Sequence, residues 1–241
     1  GGEEFLYRHN DLEHLRELLS KHRASHRNAL IVTDGVFSMD GDLAPVEEIL
    51  ELANEFDAWL MTDDAHGIGV VGSGRGSGFV DGEHCPVPLQ MGTLSKAIGG
   101  YGGYLCASTS VIDFLRNRCR SFIYSTGLAP ASVASAIAAL DIIEVDPKFA
   151  QEPLRKAQIF TTILDLPPAQ SPIVPVILGD TEKVMAAARY LENEGNLVVP
   201  IRPPTVPMGT ARLRVTFSAM HDDSDVERLA NLIKNYLANG A

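Results

Sequence analysis

The sequence predicts an α/β protein, with a large domain built on a mostly parallel sheet and a smaller C-terminal α/β domain. Two short apolar runs, at residues 29–33 and 58–62, have the composition of buried strands, and a segment with helical periodicity at 46–56 separates them. A strand, a helix and a second strand in this order form a βαβ unit, which implies parallel strands covered on both faces. After Pro167-Pro168 the alternation of strands and helices begins again, which predicts a second domain.

The other elements follow from the same two periodicities. The first helix is expected at residues 11–22, where leucines recur at helical spacing. The rest of the large domain is predicted to contain strands at 88–92 and 103–107 and helices at 111–120, 131–145 and 152–164. The small domain is predicted to contain strands at 173–178, 197–201 and 212–217 and helices at 182–194 and 224–237. We therefore expect a large domain over residues 1–168 and a small domain over 169–241, with the boundary near 165–171.

The overall composition excludes several classes of function. Of the 241 residues, 45% are hydrophobic, and the formal net charge is −11, so the chain lacks the basic character with which proteins bind nucleic acid. No apolar run approaches the roughly 20 residues that span a bilayer, so no membrane segment is expected. The three cysteines are widely spaced and lack metal-ligand spacing, which is typical of a reduced, cytoplasmic protein.

Two acids and a histidine follow the second predicted strand. Asp63-Asp64-Ala65-His66 begins where this strand ends, and open α/β sheets bind their ligands at the carboxyl ends of strands. Because an unpaired buried carboxylate is very costly, these acids need a cation, a hydrogen-bond donor or solvent. A ligand site and a solvated turn with a helix cap both remain open as interpretations.

A lysine lies in an unusual setting after the next strand. Lys96 stands in a segment of small residues, Gly92 to Gly103, that lets a planar ligand approach closely. Thr93 and Ser95 supply short hydroxyl groups suited to phosphate oxygens. A partly desolvated lysine is the residue that Schiff-base chemistry requires. A glycine-rich loop with a solvated lysine is the alternative interpretation.

Together these segments contain the residue types that pyridoxal 5′-phosphate (PLP) chemistry needs. That cofactor requires a lysine for the Schiff base, an acid for the pyridinium nitrogen, and donors for the phenolic oxygen and phosphate. A competing motif, Gly67-Ile-Gly69-Val-Val-Gly72, matches the G-x-G-x-x-G pattern of dinucleotide sites. That pattern must open a helix, and the glycine- and serine-rich residues 73–78 cannot form one. The sequence therefore favours a PLP enzyme over a dehydrogenase.

Five motifs resemble those of the α-oxoamine synthases, which are fold-type I PLP enzymes. They are Val36-Phe-Ser-Met-Asp-Gly-Asp42, Asp63-Asp-Ala-His-Gly67, Gly74-Arg-Gly-Ser77, Gly92-Thr-Leu-Ser-Lys96 and Ile201-Arg-Pro-Pro-Thr-Val-Pro207. The resemblance covers nearly the whole chain. It implies the PLP-transferase fold of the aspartate aminotransferase type, and it implies the decarboxylative condensation of an amino acid with an acyl-CoA.

The resemblance also implies how the cofactor is bound. Lys96 would hold PLP as a Schiff base and later act as a base, and Asp63 would pair with the pyridinium nitrogen. His66 would be the third catalytic residue and would bind the phenolic oxygen together with Ser38. The phosphate would be bound by Thr93 and, across a homodimer interface, by Ser125 and Thr126.

For the substrate, the resemblance implies binding by Arg202, Thr205 and Arg214. Arg214 would receive the carboxylate of the amino acid, because a guanidinium binds a carboxylate through two parallel hydrogen bonds. Neither a metal nor a nucleic acid is implied as a partner.

Other interpretations of these residues remain open. Ser38 could simply serve a turn, and Ser125 and Thr126 could cap a helix that starts near Pro130. Arg212 and Arg214 point the same way along a predicted strand, so both could be surface residues that pair with Asp222-Asp223.

The amino acid substrate could be alanine, glycine or serine, or the chain could be a non-catalytic subunit that dimerises with a complete partner. Family members carry a further segment ahead of the first residue here, which includes the residue that stacks on the PLP ring. The resemblance therefore implies the later part of a longer enzyme.

Overall fold

In the computed structural model, residues 2–80 and 82–238 are described, and they divide into two compact units. The first unit comprises the described residues up to Val36 together with Leu43–Val145. The second comprises Phe37–Asp42 together with the described residues from Asp146 onward. The division therefore lies at residue 145 rather than near residue 168, and a short segment of the N-terminal half belongs to the second unit.

The first unit is built on a four-stranded mixed sheet with the strand order β1-β2-β5-β6. The strands are β1 (Leu30–Asp34), β2 (Trp59–Asp63), β5 (Leu89–Thr93) and β6 (Gly103–Cys106), and β3 (Phe79–Val80) and β4 (Glu83–His84) form a separate short hairpin. Pairing is parallel between β1 and β2 and between β2 and β5, and antiparallel between β5 and β6. The βαβ prediction is confirmed by the parallel pair β1 and β2, which α2 (Val46–Glu55) connects.

Three other helices of this unit lie close to their predicted positions. They are α1 (Leu12–His22), α3 (Thr109–Arg118) and α5 (Pro130–Val145), and a short helix, α4 (Arg120–Ile123), lies between α3 and α5. Helix α1 begins where the Asp11 side chain accepts a hydrogen bond from the His14 amide at 2.8 Å, a typical N-terminal cap. The sequence reasoning did not predict α4 or the hairpin of β3 and β4.

The two faces of this sheet differ in how far they are covered. Side chains alternate along a strand, and on one face Ile31, Thr33, Leu60 and Thr62 are buried. On the other face Leu30, Val32 and Trp59 are about half exposed. Helix α5 also exposes large apolar residues, among them Ile137, Ile142 and Val145, although a helix that is apolar on all sides is normally buried.

The second unit is a three-stranded antiparallel sheet with three helices. The strand order is β7 (Ile173–Gly179), β9 (Ala211–Thr216) and β8 (Val199–Ile201), and the helices are α6 (Pro147–Ile163), α7 (Thr181–Asn193) and α8 (Asp223–Ala238). Its core joins Phe160, Leu191, Leu213 and Ile233, all nearly inaccessible to solvent. Because Phe160 belongs to this core, α6 is part of the second unit, and the boundary falls before α6 instead of after it.

Helix α6 also starts earlier than predicted. Asp146 caps it by accepting a hydrogen bond from the Phe149 amide at 3.1 Å, and Pro147 occupies the first turn, where a missing N–H costs nothing. Across the residues that the structure describes, none of the helices combines the length and the apolar character needed to cross a membrane.

Candidate active site

The acidic and hydroxyl candidates of the first unit lie at the carboxyl ends of neighbouring parallel strands. Asp34 ends β1, Asp63 ends β2 and Thr93 ends β5. Asp34 is paired in register with Asp63, and Asp63 with Met91, two residues before Thr93. By the alternation of side chains, all three lie on the face of the sheet that carries the half-exposed Leu30 and Trp59. This edge is where parallel α/β sheets bind ligands.

Asp63 and His66 are placed by a tight turn that follows β2. The Asp63 carboxylate is half-buried and accepts a hydrogen bond from the Ala65 amide at 2.9 Å. The amides of Gly67 and Ile68 both donate to the Asp64 carbonyl, at 3.0 and 3.1 Å, so the chain turns back directly after the strand. His66 is therefore presented three residues after Asp63, at the same strand end.

Asp34 is a further candidate for the site, and the sequence reasoning did not name it. It is half-buried, and burial raises the pKa of its carboxyl above the ordinary value, with the neighbouring charge of Asp63 as the second cause. The charges of Lys96 and His9 lower the pKa of Asp34, so the carboxyl interacts electrostatically with the candidate lysine. The signal was present in the sequence, because Thr33-Asp34 ends β1 in the same way as Thr62-Asp63 ends β2.

Lys96 lies in an exposed turn that begins directly after β5. The Gly99 amide donates to the Lys96 carbonyl at 2.9 Å, and the Gly100 amide donates to the Leu94 carbonyl at 2.6 Å. Gly99 has a positive φ of 68°, and a Cβ there would meet no atom within 4 Å, so the turn is open at this glycine. The Ser95 hydroxyl lies 3.4 Å from that of Thr93, which places the two predicted phosphate donors side by side.

Asp64 has a different role from its neighbour Asp63. It is 4% exposed, and its two carboxylate oxygens accept the Ser77 amide at 2.9 and 3.1 Å. Burial raises the pKa of this carboxyl, and the Ser77 hydrogen bond opposes that effect. A Cβ on Gly76 would lie 2.7 Å from Asp64 Oδ2, so the Gly74-Arg-Gly-Ser77 motif allows the loop to close over this buried carboxylate.

The same loop explains why Gly67–Gly72 does not open a dinucleotide site. The Gly69 amide donates to the Gly74 carbonyl at 2.8 Å, and Ile68 forms an isolated bridge with Arg75, so the segment folds back on itself. No α-helix follows it within the described residues 73–80. The prediction that this motif fails its structural context is thereby confirmed.

Ser125 and Thr126 lie on the surface of the first unit, between α4 and α5. Both are exposed, as are their neighbours Phe122 and Tyr124. The Ser125 hydroxyl donates to the Phe122 carbonyl at 2.8 Å and so closes the end of α4. The alternative interpretation, in which Ser125 caps the helix starting near Pro130, is therefore wrong.

In the second unit, two predicted site residues far apart in sequence are in contact. Arg214, on β9, donates from Nε to the Ser38 carbonyl at 2.5 Å and from Nη1 to the Thr216 hydroxyl at 3.2 Å. Arg214 is half-buried, and burial is the only cause that shifts its pKa, which it lowers. A partly desolvated guanidinium without a compensating acid favours an anionic ligand, so this geometry suits the predicted carboxylate contact.

Arg212 is engaged quite differently, although it is only two residues away. Its side chain is 4% exposed and forms an ion pair with Asp40, while further hydrogen bonds run from Nη1 to the Met39 carbonyl at 3.1 Å and from Nε to the Thr210 carbonyl at 2.9 Å. The alternative that Arg212 and Arg214 pair with Asp222-Asp223 is wrong. Asp223 is paired with Arg155 of α6 instead, at 2.8 Å.

Arg202 and Thr205 lie together in a turn that follows β8. Both side chains are exposed, and the Thr205 amide donates to the Arg202 carbonyl at 3.1 Å. The candidate residues are thus divided between the units. Asp63, His66, Thr93, Lys96, Ser125 and Thr126 belong to the first unit, and Ser38, Arg202, Thr205 and Arg214 belong to the second.

Comparison with known proteins agrees with this architecture. The sequence profile of the family "aminotransferase class I and II" matches residues 1–233. Proteins named 8-amino-7-oxononanoate synthase from Beijerinckia indica and Methylocella silvestris are each 58% identical to the chain over 95% of its length. The chain spans only 59% and 65% of those two relatives, respectively.

A solved structure of serine palmitoyltransferase from S. paucimobilis, with a bound PLP–myriocin aldimine, superimposes with a TM-score of 0.90 at 27% identity. The match covers 97% of this chain and 60% of that one. The predicted α/β fold of the PLP-transferase type is confirmed.

Proposed function

The chain belongs to the aminotransferase class I and II family, and from this premise we propose that it carries the active-site residues of an 8-amino-7-oxononanoate synthase. The reaction joins L-alanine to pimeloyl-CoA, or to a pimeloyl carrier thioester, and releases CoA and CO2 in biotin synthesis. One observation above all supports this. Asp63 and Thr93 end adjacent parallel strands on one face of the sheet, and the Lys96 turn follows directly.

The residues of the first unit fit PLP by their chemistry. Asp63 is a half-buried acceptor suited to a protonated ring nitrogen, and Lys96 is an exposed amine in a turn that is open at Gly99. The neighbouring hydroxyls of Thr93 and Ser95 suit a phosphate. Such a set of one carboxylate, one amine and paired hydroxyls matches the groups that PLP presents to a protein.

When bound, PLP supplies an electron sink for the electron pair left on the substrate by loss of a proton or of CO2. The chain's own residues would then bind, orient and move protons. Asp63 would hold a proton on the ring nitrogen, and Arg214 would hold the carboxylate of the amino acid. Lys96, once released as a free amine, would take the proton from the α-carbon, and His66 would act as a general acid.

The sharpest test compares Lys96 with a lysine outside the site. Wild-type protein with added PLP should develop a visible band above 400 nm, and Lys96→Ala should abolish it. Lys21→Ala, at the surface end of α1, should leave the band unchanged. An equal band in wild type and Lys96→Ala would refute the assignment of the lysine.

The choice of substrate is tested by turnover. CoA release should depend on L-alanine with a pimeloyl thioester, and the product should be 8-amino-7-oxononanoate by mass. Turnover restricted to glycine or to serine would place the protein in another branch of the α-oxoamine synthases. PLP binding without turnover of any amino acid would support the non-catalytic subunit instead.

We further propose a cytoplasmic homodimer in which Ser125 and Thr126 bind the phosphate of the partner's cofactor. The exposed apolar side chains of Phe122, Tyr124 and α5 support this, because a dimer interface would cover them. The cysteines are free thiols, which suits a reducing compartment. Mixing inactive Lys96→Ala with inactive Thr126→Ala should restore activity if the sites are shared, because one of the two sites in each mixed dimer is then intact. Mixtures that stay inactive would contradict shared sites.

A further inference from the structure

The segment Phe37–Asp42 forms a short turn that belongs to the second unit, although it lies between β1 and α2 in sequence. Its own hydrogen bonds run from the Phe37 amide to the Asp42 carbonyl at 3.0 Å and from the Gly41 amide to the Phe37 carbonyl at 2.8 Å. Gly41 has a φ of 75°, and a Cβ at this position would overlap the Ile173 carbonyl of β7. The turn is therefore fitted closely against the sheet of the second unit.

Two arginines of β9 form hydrogen bonds to three consecutive residues of this turn. Arg214 donates to the carbonyl of Ser38, and Arg212 binds the next two residues, at the Met39 carbonyl and the Asp40 carboxylate. Between and beside them, Leu213 and Val215 point into the hydrophobic core, so the strand that carries the arginines is itself rigidly held. Three consecutive residues of the turn are thus fixed by one strand.

The two arginines differ in what they leave available for a ligand. Arg212 is almost wholly buried, and its hydrogen bonds go to Thr210, Met39 and Asp40. Arg214 is half-buried, and across the described parts of the chain no acidic side chain shifts its pKa. Arg214 can receive a ligand carboxylate, whereas Arg212 has no open face with which to do so.

We propose that Arg212 is a positioning residue whose guanidinium, held by Asp40, fixes the Phe37–Asp42 turn so that Ser38 is presented to the cofactor. This rests on the proposed function for the role of Ser38, but the restraint of the turn does not. Without these hydrogen bonds the backbone of the turn could change its φ and ψ angles, and the position of the Ser38 hydroxyl would change with them. Charge-assisted hydrogen bonds to a buried guanidinium are strong enough to prevent this.

The proposal is tested first by hydrogen exchange in the intact protein without PLP. In Asp40→Ala, the amides of Phe37 and Gly41 should exchange about tenfold to a hundredfold faster than in wild type, because local opening of the turn becomes easier. Amides of α8 should be unchanged. Asp40 is the residue changed because its side chain is half-exposed, so the variant is expected to fold. Arg212 is almost wholly buried, and Arg212→Met could unfold the unit.

The matched control is Arg155→Met, which removes an ion-paired arginine of the same unit that lies on α6, away from the turn. It should leave the exchange of the turn as in wild type. Exchange of the turn in Asp40→Ala equal to that of wild type would overturn the proposal.

The second readout separates positioning from substrate binding. Asp40→Ala should weaken PLP binding and lower kcat several-fold, with little change in KM for the amino acid. Arg214→Lys, which loses both the carboxylate contact and the hydrogen bond to the Ser38 carbonyl, should raise that KM as well. A rise in KM for the amino acid in Asp40→Ala, with kcat and PLP binding unchanged, would overturn the positioning role. Failure of the proposed function would look different: wild type would form no visible band with PLP, while the exchange result would stand.

Discussion

Replacing Gly67 by alanine should be among the most damaging single-methyl additions in the first unit. A Cβ on Gly67 would lie 2.9 Å from Asp64 Cγ and closer still to Oδ1. Asp64 is 4% exposed and holds the Ser77 amide with both oxygens, so it cannot move aside without releasing that bond. Gly67 does not have a positive φ, so the effect is one of space and not of backbone strain.

Two costs add up in this variant. Forcing a methyl group into a closely packed site costs about 1–3 kcal/mol. Displacing a buried carboxylate from its backbone donor costs about 1.5–3 kcal/mol more. The expected loss in the free energy of unfolding is therefore about 2.5–6 kcal/mol, which lowers Tm by about 5–24 °C for a chain of this size.

The assay is urea unfolding followed by circular dichroism, in a double-mutant cycle with Asp64→Ala. Removing the carboxylate vacates the space that the new methyl group needs. Gly67→Ala should therefore destabilise the Asp64→Ala protein by about 2 kcal/mol or more less than it destabilises the wild type. Gly127→Ala is the control, because a Cβ there meets no atom within 4 Å. Additive losses in the double variant would refute the packing argument.

Three further predictions concern charge and burial. Burial and the charge of Asp63 raise the pKa of Asp34, so the folded state keeps this proton at a higher pH than the unfolded chain does, and stability falls as pH rises through that window. D34N should therefore be more stable than wild type at pH 7 and lose that advantage below the ordinary value of 3.8, as denaturant unfolding at pH 3.5 and 7 would reveal. Burial raises the pKa of Tyr104 to about 12, so this tyrosine should not contribute to the absorbance change at 295 nm below pH 11 in an alkaline titration. Tyr104→Phe should therefore leave the titration curve below pH 11 the same as in wild type. Phe160→Ala should lower the free energy of unfolding by about 3–5 kcal/mol, and Phe149→Ala, on the exposed side of the same helix, by less than about 1 kcal/mol; equal losses would contradict the burial of α6.

Much of the secondary structure could be predicted because it is encoded locally. The helix α1 and the strand β2 depend on the spacing of apolar residues over a few turns or a few strand positions, and that spacing is visible in the sequence. Helix α4 is too short for such a period to appear. The predicted start of α6, near residue 152, was too late, because the helix begins at Pro147, where Asp146 provides the cap.

The candidate lysine and its acid could also be found in advance, since Lys96 and Asp63 each follow an apolar strand in a setting that few other functions require. Asp34 was overlooked, although its dipeptide repeats that of Asp63. Its meaning depends on the register of β1 against β2, and register is a property of the folded sheet.

By itself, the sequence determined the class of fold, the order of its longer elements and the position of Asp63 where a buried strand ends. Only the tertiary structure decided that α6 and the Phe37–Asp42 turn belong to the second unit. It also decided that the guanidinium of Arg212 is buried and paired with Asp40 of that turn, while Arg214 remains half-exposed. A periodic pattern specifies which face of an element is apolar, but not which distant segment will cover it. Two arginines at alternate positions of one strand are equivalent in sequence until the contacts of residues more than 170 positions away distinguish them.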